Sequence, residues 1–316
     1  MKNNILITGY DGFVAKHLAL FLLKKKFNIF ATHYKNIKYK NNKIHFIKCN
    51  VNSLSDLKKA LKISNPVSIY HLAAKSRPNF SFLNPLQTMK TNLIGTMNLL
   101  EQCRLQKIKA KIIIACSSAQ FGKRNFSKLP LTEKDNYIPE HVYGLSKSFA
   151  DNLAYQYYKM FGLKILRAII FNTSGPGKKN DVFSDFLSRF VKQINTKKEI
   201  IHIKVGSLNK FRDFLHVNDL VKALYLISIK GKIGESYNIC SSKFYKISSI
   251  IKLMHKFTSK KIKIVEDRNL IRKFDEKYIF GDNKKIKKLG WKASMGFKKI
   301  WSDIFDFYQN KWFKLI

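Results

Sequence analysis

Short apolar runs alternate with helical segments along the first half of the chain. A parallel strand that is covered on both faces shows such a run, and the helix that follows it covers the sheet. Residues 16–25 and 143–161 have the periodicity of amphipathic helices. The apolar runs lie at residues 4–8, 27–32, 44–49, 67–72, 111–116 and 163–170. This alternation predicts an α/β fold with a Rossmann-type, doubly wound parallel sheet.

Beyond Phe171 the pattern loosens. The segment from Asn172 to Gly177, Asn-Thr-Ser-Gly-Pro-Gly, is rich in turn residues. Further along, we expect helices at residues 181–193 and 219–229 and a strand at 236–240. The chain then divides into a dinucleotide-binding domain and a smaller C-terminal domain for the substrate. The expected bounds are residues 1–172, joined by a returning segment at 213–242, and mainly residues 173–316.

A glycine-rich turn follows the first apolar run, in the order Gly9-Tyr-Asp-Gly12-Phe-Val-Ala15. Strand, glycine turn and helix N-terminus together form the arrangement that binds a pyrophosphate. Gly9 allows the tight turn, Gly12 lets the backbone approach the phosphates, and Ala15 takes the position of close packing between helix and strand. Because the turn has both flanking elements, it indicates a dinucleotide site more specifically than two glycines alone would.

The second apolar run ends in Thr32-His33-Tyr34-Lys35, without a carboxylate. Sites that prefer NAD usually place an Asp or Glu there for the ribose 2′-hydroxyl. His33 and Lys35 could instead face a 2′-phosphate, which favours NADP(H), with NAD(H) as an alternative. The same residues could also form an ordinary lysine-rich surface loop.

Other strand ends complete the expected cofactor site. Asn50 follows the third run at the adenine edge, and the small residues Ala73 and Ala74 follow the fourth run and allow close approach. The cofactor-binding residues that we predict from the glycine turn and the strand ends are Gly9, Asp11, Gly12, Phe13, His33, Lys35, Asn50, Val51, Leu72, Ala73 and Ala74.

Tyr143 and Lys147 stand four residues apart and so share one face of the last predicted helix of this half. A phenol is a weak acid with an ordinary pKa of about 10. A neighbouring ammonium group would lower that pKa towards the working range. The spacing alone also fits an ordinary amphipathic helix with a Tyr and a Lys on its surface. Other segments of the chain must therefore show whether the pair is catalytic.

The charge of the chain is strongly positive, with 60 Lys and Arg against 20 Asp and Glu and a formal net charge of +40. Such a charge can indicate a nucleic-acid or anionic-membrane partner. The basic residues are spread over the whole chain, however, and no motif combines them with aromatic residues or forms a DNA-reading helix. We therefore expect no specific nucleic-acid binding, although the positive field should attract anionic substrates.

Several features indicate a cytoplasmic enzyme without a metal. Four cysteines lie far apart without metal-ligand spacing, and we expect them to be reduced thiols. No apolar run approaches the length of a membrane span. The sequence MKNNILITGY leads directly into a strand and does not resemble a signal peptide.

Together these segments resemble the extended short-chain dehydrogenases/reductases of the nucleotide-sugar epimerase/dehydratase family, over nearly the whole chain. Two positions depart from the family pattern: Ala15 replaces the usual third glycine, and Asn50 replaces the usual Asp. Ala15 can pack in much the same way as that glycine, and Asn50 can still form a hydrogen bond with the amine of the adenine. The segments that carry the resemblance are ITGYDGFVAKHL, YHLAAKS, TNLIGTMNLLEQC, ACSSAQFG, PEHVYGLSK, FNTSGPGK, RDFLHVNDLVKAL, GESYNIC and LGW.

The resemblance implies three catalytic residues. Tyr143 would exchange a proton with a sugar hydroxyl or carbonyl, and Lys147 would lower its pKa and hold the nicotinamide ribose. Ser117 would hydrogen-bond the same substrate oxygen. Asn92 would hold the helix of the active site in place, and Asn92, Tyr143 and Lys147 would also bind the cofactor.

The resemblance also implies a substrate site for a nucleotide-diphosphate sugar. Asn172, Arg212 and Arg272 would meet the diphosphate, since arginine binds phosphate in a bidentate manner. Ser118 would contact the sugar.

The type of reaction is harder to assign from the family. Dehydratases need a carboxylate in the two residues after the active-site Ser or Thr, whereas this chain has Ser118 and Ala119. Several segments most resemble reductases of GDP-4-keto-6-deoxy-mannose, which make GDP-rhamnose for surface glycans. A nucleotide-sugar 4-epimerase, a 4,6-dehydratase and a catalytically silent dinucleotide-binding scaffold are the alternatives. The family also implies a homodimer through helices at residues 88–106 and 141–160.

Overall fold

The structure is a computed structural model that describes residues 3–37, 41–179, 182–267, 270 and 277–309. Within these residues no helix is both long and apolar enough to cross a membrane. The strands are β1 Asn4–Thr8, β2 Asn28–His33, β3 Ile44–Lys48, β4 Ser68–His71, β5 Lys111–Ser117, β6 Ile165–Ile170, β7 Thr173–Ser174, β8 Ile200–Val205, β9 Phe211–Asp213, β10 Leu215–His216, β11 Ser236–Ile239, β12 Phe244–Lys246, β13 Lys261–Glu266 and β14 Tyr278–Ile279.

Eleven α-helices lie in the described part of the chain. A π-helical turn, Lys90–Ile94, joins two of them into one continuous helical stretch. The helices are α1 Phe13–Lys24, α2 Leu54–Ser64, α3 Pro78–Leu83, α4 Pro85–Met89, α5 Gly95–Leu105, α6 Val142–Phe161, α7 Val182–Ile194, α8 Val217–Lys230, α9 Ser248–Met254, α10 Lys284–Lys287 and α11 Phe297–Gln309.

A parallel sheet of seven strands forms the centre of the molecule, in the order β11-β6-β5-β4-β1-β2-β3. The chain builds β1, β2 and β3 outwards in one direction and then crosses to β4 on the other side of β1. The strand order therefore reverses between β1 and β4. In open parallel sheets, ligands bind at this point, outside the carboxyl ends of the strands.

Two apolar clusters cover the two faces of this sheet. Residues alternate between the faces along each strand, so Ile7 lies in one cluster and its neighbour Leu6 in the other. Helices α1 and α8 cover the first face, and helices α2, α5 and α6 cover the second. The doubly wound arrangement predicted from the alternation is confirmed.

A third apolar cluster lies wholly beyond residue 182. It joins α7, α9 and α11 to the two-stranded sheet of β8 and β13, with Phe190 and Trp301 among its buried side chains. In contrast, α8 and β11 return to the central sheet. This separation of clusters supports the proposed division into two domains near residue 172.

The predicted strands of the first half agree with the structure to within a residue or two at each end. The first helix differs more, because it begins at Phe13 rather than at the predicted residue 16. Gly12 is its N-cap, so the glycine turn leads directly into the helix. Helix α2, with its N-cap Ser53, was not predicted, although a serine three residues before Asp56 is a capping signal.

Candidate active site

The glycine turn packs against the segment that follows β4. Gly9 has φ +78°, and a Cβ atom on it would lie 2.6 Å from the Cα atom of Ala73. The Gly12 N–H donates to the Gly9 carbonyl oxygen at 2.9 Å, and Gly12 caps α1 without a side-chain hydrogen bond. The first N–H groups of α1 are therefore free of a side-chain cap, which is what a bound pyrophosphate requires.

A buried histidine fixes the residues that follow β4. The Thr8 Oγ1 atom accepts from the N–H groups of Leu72 and Ala73, both at 3.2 Å, and lies 2.8 Å from His71 Nδ1. Because the two N–H groups occupy both lone pairs of Thr8 Oγ1, the hydroxyl donates its own proton to His71 Nδ1. The ring therefore carries its proton on Nε2. Burial, and then the charge of Lys147, lower the pKa of His71 to about 3, so the ring is neutral at physiological pH.

The same histidine reaches the helix on the far side of the site. His71 Nε2 lies 3.1 Å from Thr96 Oγ1, and Thr96 Oγ1 donates to the Asn92 carbonyl oxygen at 2.6 Å. Three buried side chains thus connect β1, β4 and the π-helical turn. They give the switch point of the sheet a fixed geometry.

Asn92 joins the segment after β4 to helix α6. Its Oδ1 accepts from the Lys75 N–H at 2.7 Å, and its Nδ2 donates to the Lys75 carbonyl at 3.1 Å and to Ser146 Oγ at 2.9 Å. Ser146 in turn donates to the Tyr143 carbonyl oxygen at 2.7 Å. Asn92 therefore positions α6 through Ser146.

Ser117 ends β5 and caps the 3₁₀ turn Ser118–Phe121. Its Oγ accepts from the Ala119 N–H at 3.3 Å, and Gln120 Oε1 accepts from the Ser117 N–H at 3.4 Å. The two bonds form a capping box, which fixes the backbone on both sides of the hydroxyl.

Helix α6 approaches this turn very closely because its third residue is Gly144. A Cβ atom at that position would collide with the Ala119 carbonyl oxygen. The His141 Nδ1 atom caps the helix by accepting from the Gly144 N–H at 3.0 Å. The close approach brings Tyr143 and Ser117 together, near enough for the Ser117 hydroxyl to affect the pKa of the phenol.

Burial raises the pKa of the Tyr143 phenol, and the neighbouring Ser117 hydroxyl opposes that shift. Lys147 Nζ donates to the Ala115 carbonyl oxygen at 2.7 Å, and burial lowers the pKa of its ammonium. In this arrangement burial outweighs the expected lowering of the phenol pKa by Lys147, so the pKa of Tyr143 is raised. Desolvation dominates because both side chains are almost fully buried.

Asp151, one turn beyond Lys147 on the same face of α6, is a functional neighbour that the sequence analysis missed. The carboxylate is fully buried and forms an ion pair with Arg167 at 2.9 Å. It also accepts hydrogen bonds from Gln120 Nε2 at 2.9 Å and from the Tyr137 hydroxyl. Through Gln120 it braces the turn of Ser117. The signal in the sequence was an acidic residue four positions after Lys147, on the helical face that also carries Tyr143.

The expected cofactor loop lies at the carboxyl end of β2. His33 Nδ1 lies 2.8 Å from the Lys35 carbonyl oxygen, so the ring donates to it. Asp11 reaches across from the glycine turn, and its Oδ2 accepts from the N–H groups of Tyr34 at 2.9 Å and Lys35 at 3.2 Å. This cross-link was not expected.

The predicted adenine edge lies at the end of β3. The Asn50 N–H donates to Asp56 Oδ2 at 2.8 Å, and its side-chain Oδ1 accepts from the Asn52 N–H at 3.0 Å. Val51 is buried against Gly95, where a Cβ atom would lie 2.7 Å from it.

The predicted substrate residues have different surroundings. Ser118 is buried beside Ser117, and the Nδ2 atom of Asn172 is buried without a hydrogen-bond partner among the described residues. Arg212 is buried on β9 of the separate three-stranded sheet, where its Nη1 donates to the Phe211 carbonyl oxygen at 2.8 Å. Arg272 lies outside the described residues.

Comparisons with known proteins agree with this geometry. A family model described as GDP-mannose 4,6-dehydratase matches residues 6–304. The chain is 26% identical over 312 residues to a GDP-6-deoxy-D-mannose reductase from Pseudomonas aeruginosa, covering 98% of this chain and 99% of the relative.

Two solved structures show the same fold. RMD from Pseudomonas aeruginosa complexed with NADPH has a TM-score of 0.83, and the UDP-glucose 4-epimerase from Thermotoga maritima with UDP-glucose has 0.88. Each is 23% identical, and each match covers 98% of this chain and 99% of the other. Because the family model spans nearly the whole chain, the protein belongs to the GDP-mannose 4,6-dehydratase family of extended short-chain dehydrogenases/reductases, NAD(P)-dependent enzymes that act on nucleotide sugars.

Proposed function

We propose that this enzyme reduces the C4 keto group of a 4-keto-6-deoxy nucleotide sugar with NADP(H). The substrate would be GDP-4-keto-6-deoxy-mannose and the product GDP-rhamnose. One observation carries the proposal: a buried Tyr143, close to Ser117, lies beside a turn that has Ser118 and Ala119 where a dehydratase needs a carboxylate. The similarity to a GDP-6-deoxy-D-mannose reductase supports the choice of substrate.

The protonation of Tyr143 favours reduction. Reduction of a ketone needs a proton at the carbonyl oxygen, and a phenol whose pKa is raised by burial carries that proton at neutral pH. Tyr143 would donate it from Oη to the O4 oxygen of the sugar. An enzyme that must first oxidise its substrate needs the opposite state, a phenolate, at the start of the reaction.

Ser117 and Lys147 would support this proton transfer. The Ser117 hydroxyl, fixed by its capping box, would donate to the same O4 oxygen and stabilise the charge that develops there. When Tyr143 has given up its proton, the ammonium of Lys147 on the same helical face would stabilise the phenolate.

The residues present fit a dinucleotide. The glycine turn brings its backbone close to Ala73, and the N-terminus of α1 has no side-chain cap. Gly9, Gly12 and Phe13 would hold the pyrophosphate, and Asn50 and Val51 would border the adenine. Bound NADPH would supply the hydride that adds to C4.

Asn172 and Arg212 would hold the diphosphate of the substrate. The buried Asn172 Nδ2 has no hydrogen-bond partner among the residues that the structure describes, and it is a donor that a phosphate oxygen would satisfy. Arg212 is nearly fully buried, as a residue that binds a desolvated phosphate should be.

A 4-epimerase is the second candidate, because the Thermotoga maritima epimerase has the higher TM-score of the two structures described above. Absorbance of the nicotinamide separates the two reactions. Purified enzyme with NADPH and GDP-4-keto-6-deoxy-mannose should consume one NADPH per sugar, and UDP-linked keto sugars should react more slowly. Failure to oxidise NADPH with any keto sugar in such a panel would contradict the proposal, and bound NAD with turnover of UDP-glucose would favour the epimerase.

We also propose a homodimer through α5 and α6. Met97, Leu145 and Phe149 on these helices are exposed, whereas Leu100 is part of the core. Sedimentation should give a dimer for the wild type and a monomer for Phe149→Asp. The control Ile229→Asp, exposed on α8, should stay dimeric, and a monomeric wild type would refute the proposal.

A further inference from the structure

The carboxylate of Asp11 lies at the end of β2, where the sequence itself has no acid. Asp11 belongs to the glycine turn, yet its Oδ2 accepts from the N–H groups of Tyr34 at 2.9 Å and Lys35 at 3.2 Å. Two successive backbone N–H groups that converge on one oxygen form an anion-binding nest. The protein's own Asp11 carboxylate thus occupies a nest that could also bind the anionic group of a ligand.

Other bonds already join the turn to β2. The Tyr10 N–H donates to the Thr32 carbonyl oxygen at 2.8 Å, and the Gly9 N–H approaches Thr32 Oγ1 at 3.4 Å. Thr32 is buried, whereas Asp11 is exposed to solvent. The two elements therefore do not need the Asp11 carboxylate to stay together.

The surroundings of Asp11 are positively charged. Lys16 lies in the first turn of α1, and burial and then the nearby Lys179 lower its pKa, while Asp11 acts in the opposite direction. Lys35 contributes its backbone N–H to the nest and adds a third lysine to this part of the chain. A second anion at this place would be attracted by the lysines and repelled by Asp11.

The 2′ substituent of the adenosine ribose binds at the carboxyl end of β2 in this type of fold. We propose that Asp11 determines how strongly the enzyme distinguishes a 2′-phosphate from a 2′-hydroxyl. A 2′-hydroxyl can donate to the carboxylate, whereas a 2′-phosphate competes with it for the N–H groups of Tyr34 and Lys35. Asp11 thus weakens the preference for NADP(H) that His33 and Lys35 create. The identity of the ligand rests on the proposed function.

Titration calorimetry with two cofactor fragments tests this role without any turnover. The full chain is titrated with 2′,5′-ADP and with 5′-AMP, and the ratio of the two affinities is compared between variants. Asp11→Asn keeps the shape and removes the charge, so the ratio should rise in favour of 2′,5′-ADP by about tenfold. Asp11→Ser should give a change in the same direction.

Asp135→Asn is the matched control, because the Asp135 carboxylate also accepts from a backbone N–H, that of Thr132 at 2.7 Å, in the loop before α6. Its ratio should equal that of the wild type. A ratio that stays constant or falls in both Asp11 variants would overturn the inference, as would a wild type that binds neither fragment. If the ratio rises but no keto sugar is reduced, the inference holds and the proposed reaction fails.

Discussion

The helix of the proposed chemistry and the loop of the expected cofactor ribose are held in opposite ways. On α6, Tyr143, Lys147 and Asp151 are buried on one face, and each has a partner on β5 or β6 or in the turn that follows β5. At the end of β2, the hydrogen bonds that the exposed Asp11 carboxylate accepts from the described residues come from backbone N–H groups. Buried contacts fix the groups of the proposed reaction. The exposed contacts of Asp11 instead adjust the proposed selectivity between NADP(H) and NAD(H), at little cost in the stability of the fold.

The largest expected effect is on the rate when the phenol is removed. Tyr143→Phe leaves the ring and its packing but removes the proton donor, so kcat should fall by about 10²–10⁴-fold. The control Tyr155→Phe, on the same helix, should retain the activity. Steady-state kinetics measures both, and a Tyr143→Phe enzyme within tenfold of the wild type would break the assignment of the acid.

Two variants compare the stability that a buried ion pair contributes with the stability that an exposed ion pair contributes. Asp151→Asn leaves the Arg167 guanidinium buried without its counter-charge and should lower the free energy of unfolding by about 3–5 kcal/mol. Arg104→Gln removes an exposed ion pair with Glu101 and should cost about 0–1 kcal/mol. Urea unfolding gives both values, and equal losses would show that the burial of Asp151 is not what holds α6.

Much of this arrangement was predictable from the sequence. The apolar runs located the sheet because strands covered on both faces must be apolar. The motifs located Ser117 and Tyr143, which lie close together in the structure. Their supports were not predictable, since Thr8 and His71 are 63 residues apart and Asp11 and Tyr34 are 23 apart. Only the order of strands in the sheet brings such pairs together.

The buried histidine predicts a dependence of stability on pH. The folded pKa of His71, about 3, lies below the ordinary value of about 6.5, so between these values the unfolded chain binds the additional proton. The contribution of His71 is therefore complete above pH 6.5 and is lost as the pH falls towards 3.

Urea unfolding at pH 7.5 and 5.0 measures this effect. The stability gap between wild type and His71→Gln should narrow by roughly 2 kcal/mol at the lower pH. His255→Gln, at an exposed position, should keep a constant gap. A constant gap for His71→Gln as well would mean that the ring is not held neutral.

The smallest expected effect is that of the exposed Asp11 carboxylate on stability. Asp11→Asn should change the free energy of unfolding by less than about 0.5 kcal/mol, because Asp11 is exposed and Tyr10 still joins the turn to β2. Thermal unfolding measures it. A loss of 2 kcal/mol or more would place Asp11 with the structural supports of α6 rather than with selectivity.

The central claim is net transfer of a hydride to C4 with protonation by Tyr143. The most direct test uses NADPH carrying deuterium at the transferred position together with GDP-4-keto-6-deoxy-mannose, followed by mass spectrometry and NMR of the product. The account predicts one deuterium at C4 of every product molecule formed by the wild type, and almost no product from Tyr143→Phe. Product without deuterium at C4 would contradict it.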